Sequence, residues 1–131
     1  MADSTAAEQA IRDLFRRYEK CLNTSSLDEV NDLYTTKSIC LFPGSQPHIG
    51  HSAVLKAYEK LFGEVDHKVA IAVEEVEIAS AEWGYARTTC VGSCVFKNSG
   101  NEVRDQAQGL WVLRHTGSGW KIWRYSFSHQ E

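Results

Sequence analysis

The sequence is poor in breakers and in basic charge: 2 prolines in 131 residues, and 14 Lys and Arg against 17 Asp and Glu for a formal charge of −3. Without a Lys- or Arg-rich stretch there is nothing to neutralise a phosphate backbone or an anionic headgroup layer, so neither nucleic acid nor membrane is expected as a partner. No apolar run approaches the ~20 residues that cross a bilayer. The start, Met1 to Ala10, is polar and Ala-rich with no basic segment leading into an apolar one, which predicts a cytoplasmic protein. The four cysteines (Cys21, Cys40, Cys90, Cys94) form neither paired Cys-x-x-Cys motifs nor a dense disulfide framework, and are expected as free thiols. The histidines His48, His51, His67, His115 and His129 show no His-x-x-x-His spacing, so no metal and no cofactor is expected.

Aromatic residues are abundant, with 4 Trp, 5 Tyr and 5 Phe crowded toward the C-terminal third, more than a core of this size needs. Ahead of them the apolar residues repeat at three and four. Ile11, Leu14, Phe15, Tyr18 and Leu22 define one face of a helix over 6–22, with Thr5 and Glu8 as a capping pair. Ser26 and Glu29 repeat that signature ahead of a short helix carrying Leu27, Val30, Leu33 and Tyr34. A strand over 38–42 ends at Pro43-Gly44, a polar loop follows, and a third helix from Ser52 stops at Gly63. From Val65 the period becomes two, with a bulge predicted at Glu74-Glu75 where the parity switches. Strands over 82–97, 102–115 and 120–129 are separated by the turns Asn98-Ser99-Gly100-Asn101 and Thr116-Gly117-Ser118-Gly119. Helices first and a meander of long strands after them predict an α+β domain over 1–131, three N-terminal helices packed on a curved, mostly antiparallel sheet.

Several ordered pieces resemble the SnoaL-like branch of the nuclear transport factor two-like, ketosteroid isomerase-like superfamily of cone-shaped domains. They are Leu27-Asp28-Glu29-Val30 through Leu33-Tyr34, Leu41-Phe42-Pro43, Gly50 ahead of a helix with Ala53-Val54, and Gly119-Trp120-Lys121-Ile122. The resemblance implies a cavity inside the cone and a tendency to form homodimers. Ketosteroid isomerase chemistry requires a carboxylate base beside the proline after the first strand, and a tyrosine and an acid that donate to an enolate oxygen. Tyr18 matches the tyrosine, but Phe42 stands at the base position and Leu110 at that of the acid. The Asp-Arg-Asp set of limonene-epoxide hydrolases finds only Arg87 on an inward strand position. In the association domain of calcium/calmodulin-dependent kinases, a cavity arginine lies in a motif similar to Tyr85-Ala86-Arg87.

With Arg87 turned inward on that resemblance, alternation along the strand sends Trp83, Tyr85, Thr89 and Val91 with it. Gln106 and Gln108 face them from the next strand, and the same resemblance implies that Trp123, Tyr125 and Phe127 point inward from the last. The expected binding set is therefore Tyr18, Tyr85, Arg87, Gln106, Gln108, Trp123, Tyr125 and Phe127, with Arg87 anchoring an anionic or carbonyl group. Trp111, Leu113, Trp120 and Ile122 then fall on the outer face and predict a homodimer through the back of the sheet. The function expected is a small-molecule-binding domain, as an isomerase, cyclase or hydrolase acting on a small cyclic, carbonyl or carboxylate compound. The alternative is an assembly module with a vestigial pocket.

Overall fold

The computed structural model describes residues 4–130; the extreme start and end of the polar N-terminal stretch and of the 1–131 domain reading, residues 1–3 and 131, lie outside the described residues. The first helix, α1 (Ser4–Thr24), buries Ile11, Leu14, Phe15, Tyr18 and Cys21 along one stripe, as the spacing predicts. It begins earlier than expected, so Thr5 lies within it rather than capping it. Its end is set by Ser25 at φ 54°, with Ser26 N–H donating to the Cys21 carbonyl (3.1 Å) and Ser25 N–H to that of Leu22 (3.3 Å). That left-handed exit satisfies two orphan carbonyls. Ser26 then caps α2 (Leu27–Leu33), its hydroxyl accepting from the Glu29 N–H at 3.3 Å.

Tyr34 leaves the helix and opens β1 (Tyr34–Leu41), which is longer than predicted. The polar loop holds a two-residue strand, β2 (His48–Ile49), absent from the sequence reading. In α3 (His51–Glu64) Gly63 sits inside the last turn instead of capping it, and the chain passes directly into β3 (Val65–Ile78). The meander continues through β4 (Trp83–Phe96), β5 (Glu102–Thr116) and β6 (Gly119–His129). The six strands form one sheet in the order β2-β1-β6-β5-β4-β3, antiparallel except where β1 runs parallel to β6. A register shift between Val73 and Glu75 confirms the predicted bulge. Among the described residues no helix is long and apolar enough to cross a membrane.

The strands face the other way from the sequence reading at two places. On β4 and β5 it is Ala86, Thr88, Ala107, Trp111 and Leu113 that are buried against the helices, while Tyr85, Val91 and Leu110 are exposed. A methyl group on Gly84 would come within 2.9 Å of the Glu77 carbonyl on the neighbouring β3 and into ordinary contact with Ile11 of α1 at 3.5 Å. On β6 a second register shift, between Val112 and Leu113 on its partner β5, flips the alternation. Ile122 and Tyr125 are therefore both buried, and Trp123 is thrown to the outer face, edge-on to Trp83 at 4.8 Å. Trp111, Leu113 and Ile122 thus belong to the core, and Trp120 packs against its edge.

Candidate functional site

The helices and the concave side of the sheet enclose an aromatic chamber. Trp111 stacks on Tyr125 with ring centroids 3.4 Å apart and planes 8° from parallel, and Tyr125 stacks in turn on Phe127 at 5.4 Å. Phe42 closes the opposite side, edge-on to Tyr58 (5.5 Å) and against Phe127 (5.3 Å). The Trp111 indole N–H is satisfied by the Thr88 hydroxyl at 2.9 Å, as a buried indole requires. The enclosed space is about 60 Å³, enough for a few waters or the oxygen-bearing edge of a ring. It shares Leu61, His67, Asp105 and Phe127 with a wider open groove of about 680 Å³ at the broad end of the cone.

Two polar arrangements interrupt this apolar lining. One is a chain of phenols: the Tyr18 hydroxyl lies 2.7 Å from that of Tyr58, which lies 2.5 Å from that of Tyr34. α1, α3 and β1 each contribute one member. Burial raises the pKa of all three well above the ordinary phenol value, and neighbouring phenols and the Cys40 thiol push the same way. They stay protonated and act as hydrogen-bond donors.

The other lies between chamber and groove. His67 continues the buried row Val65, Val69, Ile71 of β3 and is 9% exposed, with its Nδ1 buried and without a hydrogen-bond partner among the described residues. Burial lowers its pKa, with Asp105 and Asp66 opposing more weakly. Cys94 on β4 donates its thiol to Asp105 Oδ2 at 3.3 Å, and burial followed by the Asp105 charge pushes that thiol up to about 12. One donor atom from each of His67, Cys94 and Asp105 falls within 4.8 Å of the other two.

The structure gathers only part of the set expected from sequence. Tyr18, Gln108, Tyr125 and Phe127 border the chamber together. Arg87 does not turn inward: it is half exposed on the outer face, its Nε donating to Glu75 Oε1 at 3.3 Å. Tyr85 is exposed on that same face, and Gln108 spends its amide on the Ser128 hydroxyl there at 3.2 Å. Gln106 lines the groove instead of the chamber, and Trp123 lies outside under the Arg124 guanidinium, 3.4 Å from its ring centroid. The missed residues are Tyr58, Trp111, His67 and Asp105. The alternation with Val65, Val69 and Ile71 marks His67 as inward, whereas the inward parity of β5 is opposite to the one that an inward Arg87 implies. Phe42 lines the cavity with an apolar ring.

Three helices on a curved six-stranded sheet around an aromatic chamber define an α+β domain of the nuclear transport factor two-like fold. Within that fold the chain belongs to the SnoaL-like domain family, whose model matches residues 11–130. It is similar over 100% of its length to 99% of a ketosteroid isomerase-like protein from Erwinia carotovora atroseptica, with a TM-score of 0.90 and 24% identity. It is similar over 98% of its length to 94% of a nuclear transport factor 2-like superfamily protein from Salmonella enterica (TM-score 0.86, 14% identity). A hexachlorocyclohexane dehydrochlorinase, LinA type 2, matches with TM-score 0.85 and 12% identity over 98% of this chain and 88% of its own. Identities this low carry the fold alone. No curated protein matches the sequence significantly.

Proposed function

We propose that the domain binds a small planar cyclic compound with its carbonyl or phenolic oxygen in the chamber against Tyr18, and catalyses proton transfer at carbon using His67. The observation that carries this reading is the presence of two polar ends in one apolar chamber, a phenol chain and an imidazole with an unpartnered nitrogen. Tyr18, backed by Tyr58 and Tyr34, donates to the oxygen as negative charge develops on it, a contribution that a water-excluding site strengthens. The neutral imidazole takes the proton from the carbon next to the carbonyl, and Asp105 stabilises the imidazolium that forms. The ring body remains in the groove against Leu61 and Phe127, because the chamber admits little more than the polar edge. This places the activity with isomerisation or elimination by enolisation, without the carboxylate that Phe42 replaces.

The test is hydrogen–deuterium exchange at the α-carbon of 2-tetralone in D2O, followed by NMR. Catalysis by the wild type that falls by about 10²-fold or more in His67→Gln, and by a smaller factor in Tyr18→Phe, supports the reading. Exchange no faster than in buffer, or unaffected by His67→Gln, removes it. The proposal includes a homodimer and a cytoplasmic location for a chain acting as one domain over 1–131. The dimer face is now the outer sheet surface bearing Tyr85, Val91 and Leu110, which are 40%, 48% and 56% exposed, rather than the buried Trp111 and Leu113. Sedimentation of a monomer at micromolar concentration would count against it.

A further inference from the structure

Three neighbouring strands aim one donor each at a common point beside the groove. His67 and Cys94 are directly paired across β3 and β4, and Asp105 on β5 is paired with Gly92, two residues along from Cys94 on the same face. Cys94 Sγ and Asp105 Oδ2 are already 3.3 Å apart, and the mutual limit for the three donors is 4.8 Å. A tetrahedral ion with bonds of ~2.0–2.3 Å holds its ligands ~3.5 Å apart, so side-chain rotations of about an ångström close the set.

The cluster is short of positive charge. The Asp105 side chain is only 14% exposed, and its basic neighbour within 4.0 Å among the described residues is His129, whose Nδ1 lies 3.8 Å from Oδ1. Neither Lys nor Arg pairs with this carboxylate among the described residues, although a half-buried anion ordinarily requires such a partner. His67 adds a buried Nδ1 without a hydrogen-bond partner among the described residues.

We propose that His67, Cys94 and Asp105 bind a thiophilic divalent cation of the zinc type. One imidazole, one thiolate and one carboxylate suit Zn²⁺ and disfavour Mg²⁺ and Ca²⁺, which prefer all-oxygen shells. As the metal–sulfur bond forms, the S–H bond of Cys94 breaks and its proton leaves to solvent. Three protein ligands leave the fourth position open toward the groove, where water or a ligand atom enters beside His129. The inference does not rest on the proton-transfer reading, since binding is measured directly. The two make opposing demands on His67: with the ion bound, its lone pair is committed and the exchange reaction is inhibited.

The full chain, stripped with chelator, is titrated with Co²⁺ as a spectroscopic probe and then with Zn²⁺. The expected result is one Co²⁺ per chain, with the intense visible absorption of a tetrahedral ion and a near-ultraviolet thiolate-to-cobalt band, both lost on adding Zn²⁺. Cys94→Ser removes the charge-transfer band, His67→Gln and Asp105→Asn each weaken binding by about 10-fold or more, and Cys90→Ser leaves the spectrum intact. Asp105→Asn, which keeps the side-chain shape, supplies the reading if Cys94→Ser does not fold. The absence of stoichiometric cobalt binding by the wild type, survival of the band in Cys94→Ser, or its loss in Cys90→Ser overturns the site.

Discussion

Replacing Tyr58 with Phe removes one oxygen and two hydrogen bonds, because this hydroxyl is the middle member of the Tyr18–Tyr58–Tyr34 chain. The ring is 1% exposed, and its shape changes little. Two neutral hydrogen bonds at about 1 kcal/mol each, plus part of the desolvation penalty of the two hydroxyls left behind, give a cost of about 2–3 kcal/mol. For 131 residues the unfolding entropy is about 0.28 kcal/mol/K, so the melting temperature falls by about 7–11 °C. Tyr18→Phe and Tyr34→Phe each remove only a terminal member and cost about 1 kcal/mol. Thermal unfolding followed by circular dichroism on the three variants reads the difference. A Tyr58→Phe loss no greater than that of either terminal variant would refute the chain as a connected unit.

Three further outcomes follow from the same geometry. Trp111→Lys places a charge in the position of a 1%-exposed ring and is expected to unfold the chain, so that circular dichroism finds no native signal; a well-folded variant would show that the stack on Tyr125 is not core. Arg87→Met removes an exposed ion pair with Glu75 and should change stability by less than about 1 kcal/mol and leave ligand binding intact, as urea unfolding and titration would show. The buried phenols Tyr18, Tyr34, Tyr58 and Tyr125 all have raised pKa values, so the folded chain holds protons that the unfolded chain releases near pH ~10. Stability from this source is complete below that pH and is lost as the pH rises beyond it, and tyrosinate absorbance should grow together with unfolding; ionisation of these phenols in a chain with native dichroism would contradict it.

The element order was legible because each element carries a local signal. The three-and-four spacing from Ile11 to Leu22, the Ser26 cap and the switch of period at Val65 all correspond to features of the structure. Strand facing was less accessible. A strand's alternation states which residues share a side but not which side is inside, and one misplaced anchor turns the whole strand over. Arg87 was such an anchor: orienting it inward carried Tyr85, Gln106 and Gln108 with it and sent Trp111 outward. Gly84, Ala86 and Thr88, on the other parity of β4, are the buried ones. The bulge on β6 is a different case, because the run from Trp120 to Phe127 carries both apolar and polar residues on each parity and gives no sign of where an extra residue enters. The pairing of His67 with Cys94 and Asp105 depends on register across three strands, which no local pattern records.

The central claim is that a ligand enters the chamber between Tyr18 and His67. The most direct measurement is a heteronuclear NMR titration with 2-naphthol, a planar phenol whose hydroxyl suits the Tyr18 end. Saturable shifts of the Trp111 indole N–H and the His67 ring, with the backbone of Arg87 and Leu110 on the outer face unmoved, are the predicted result. Shifts confined to that outer face, or none at millimolar ligand, would contradict the account.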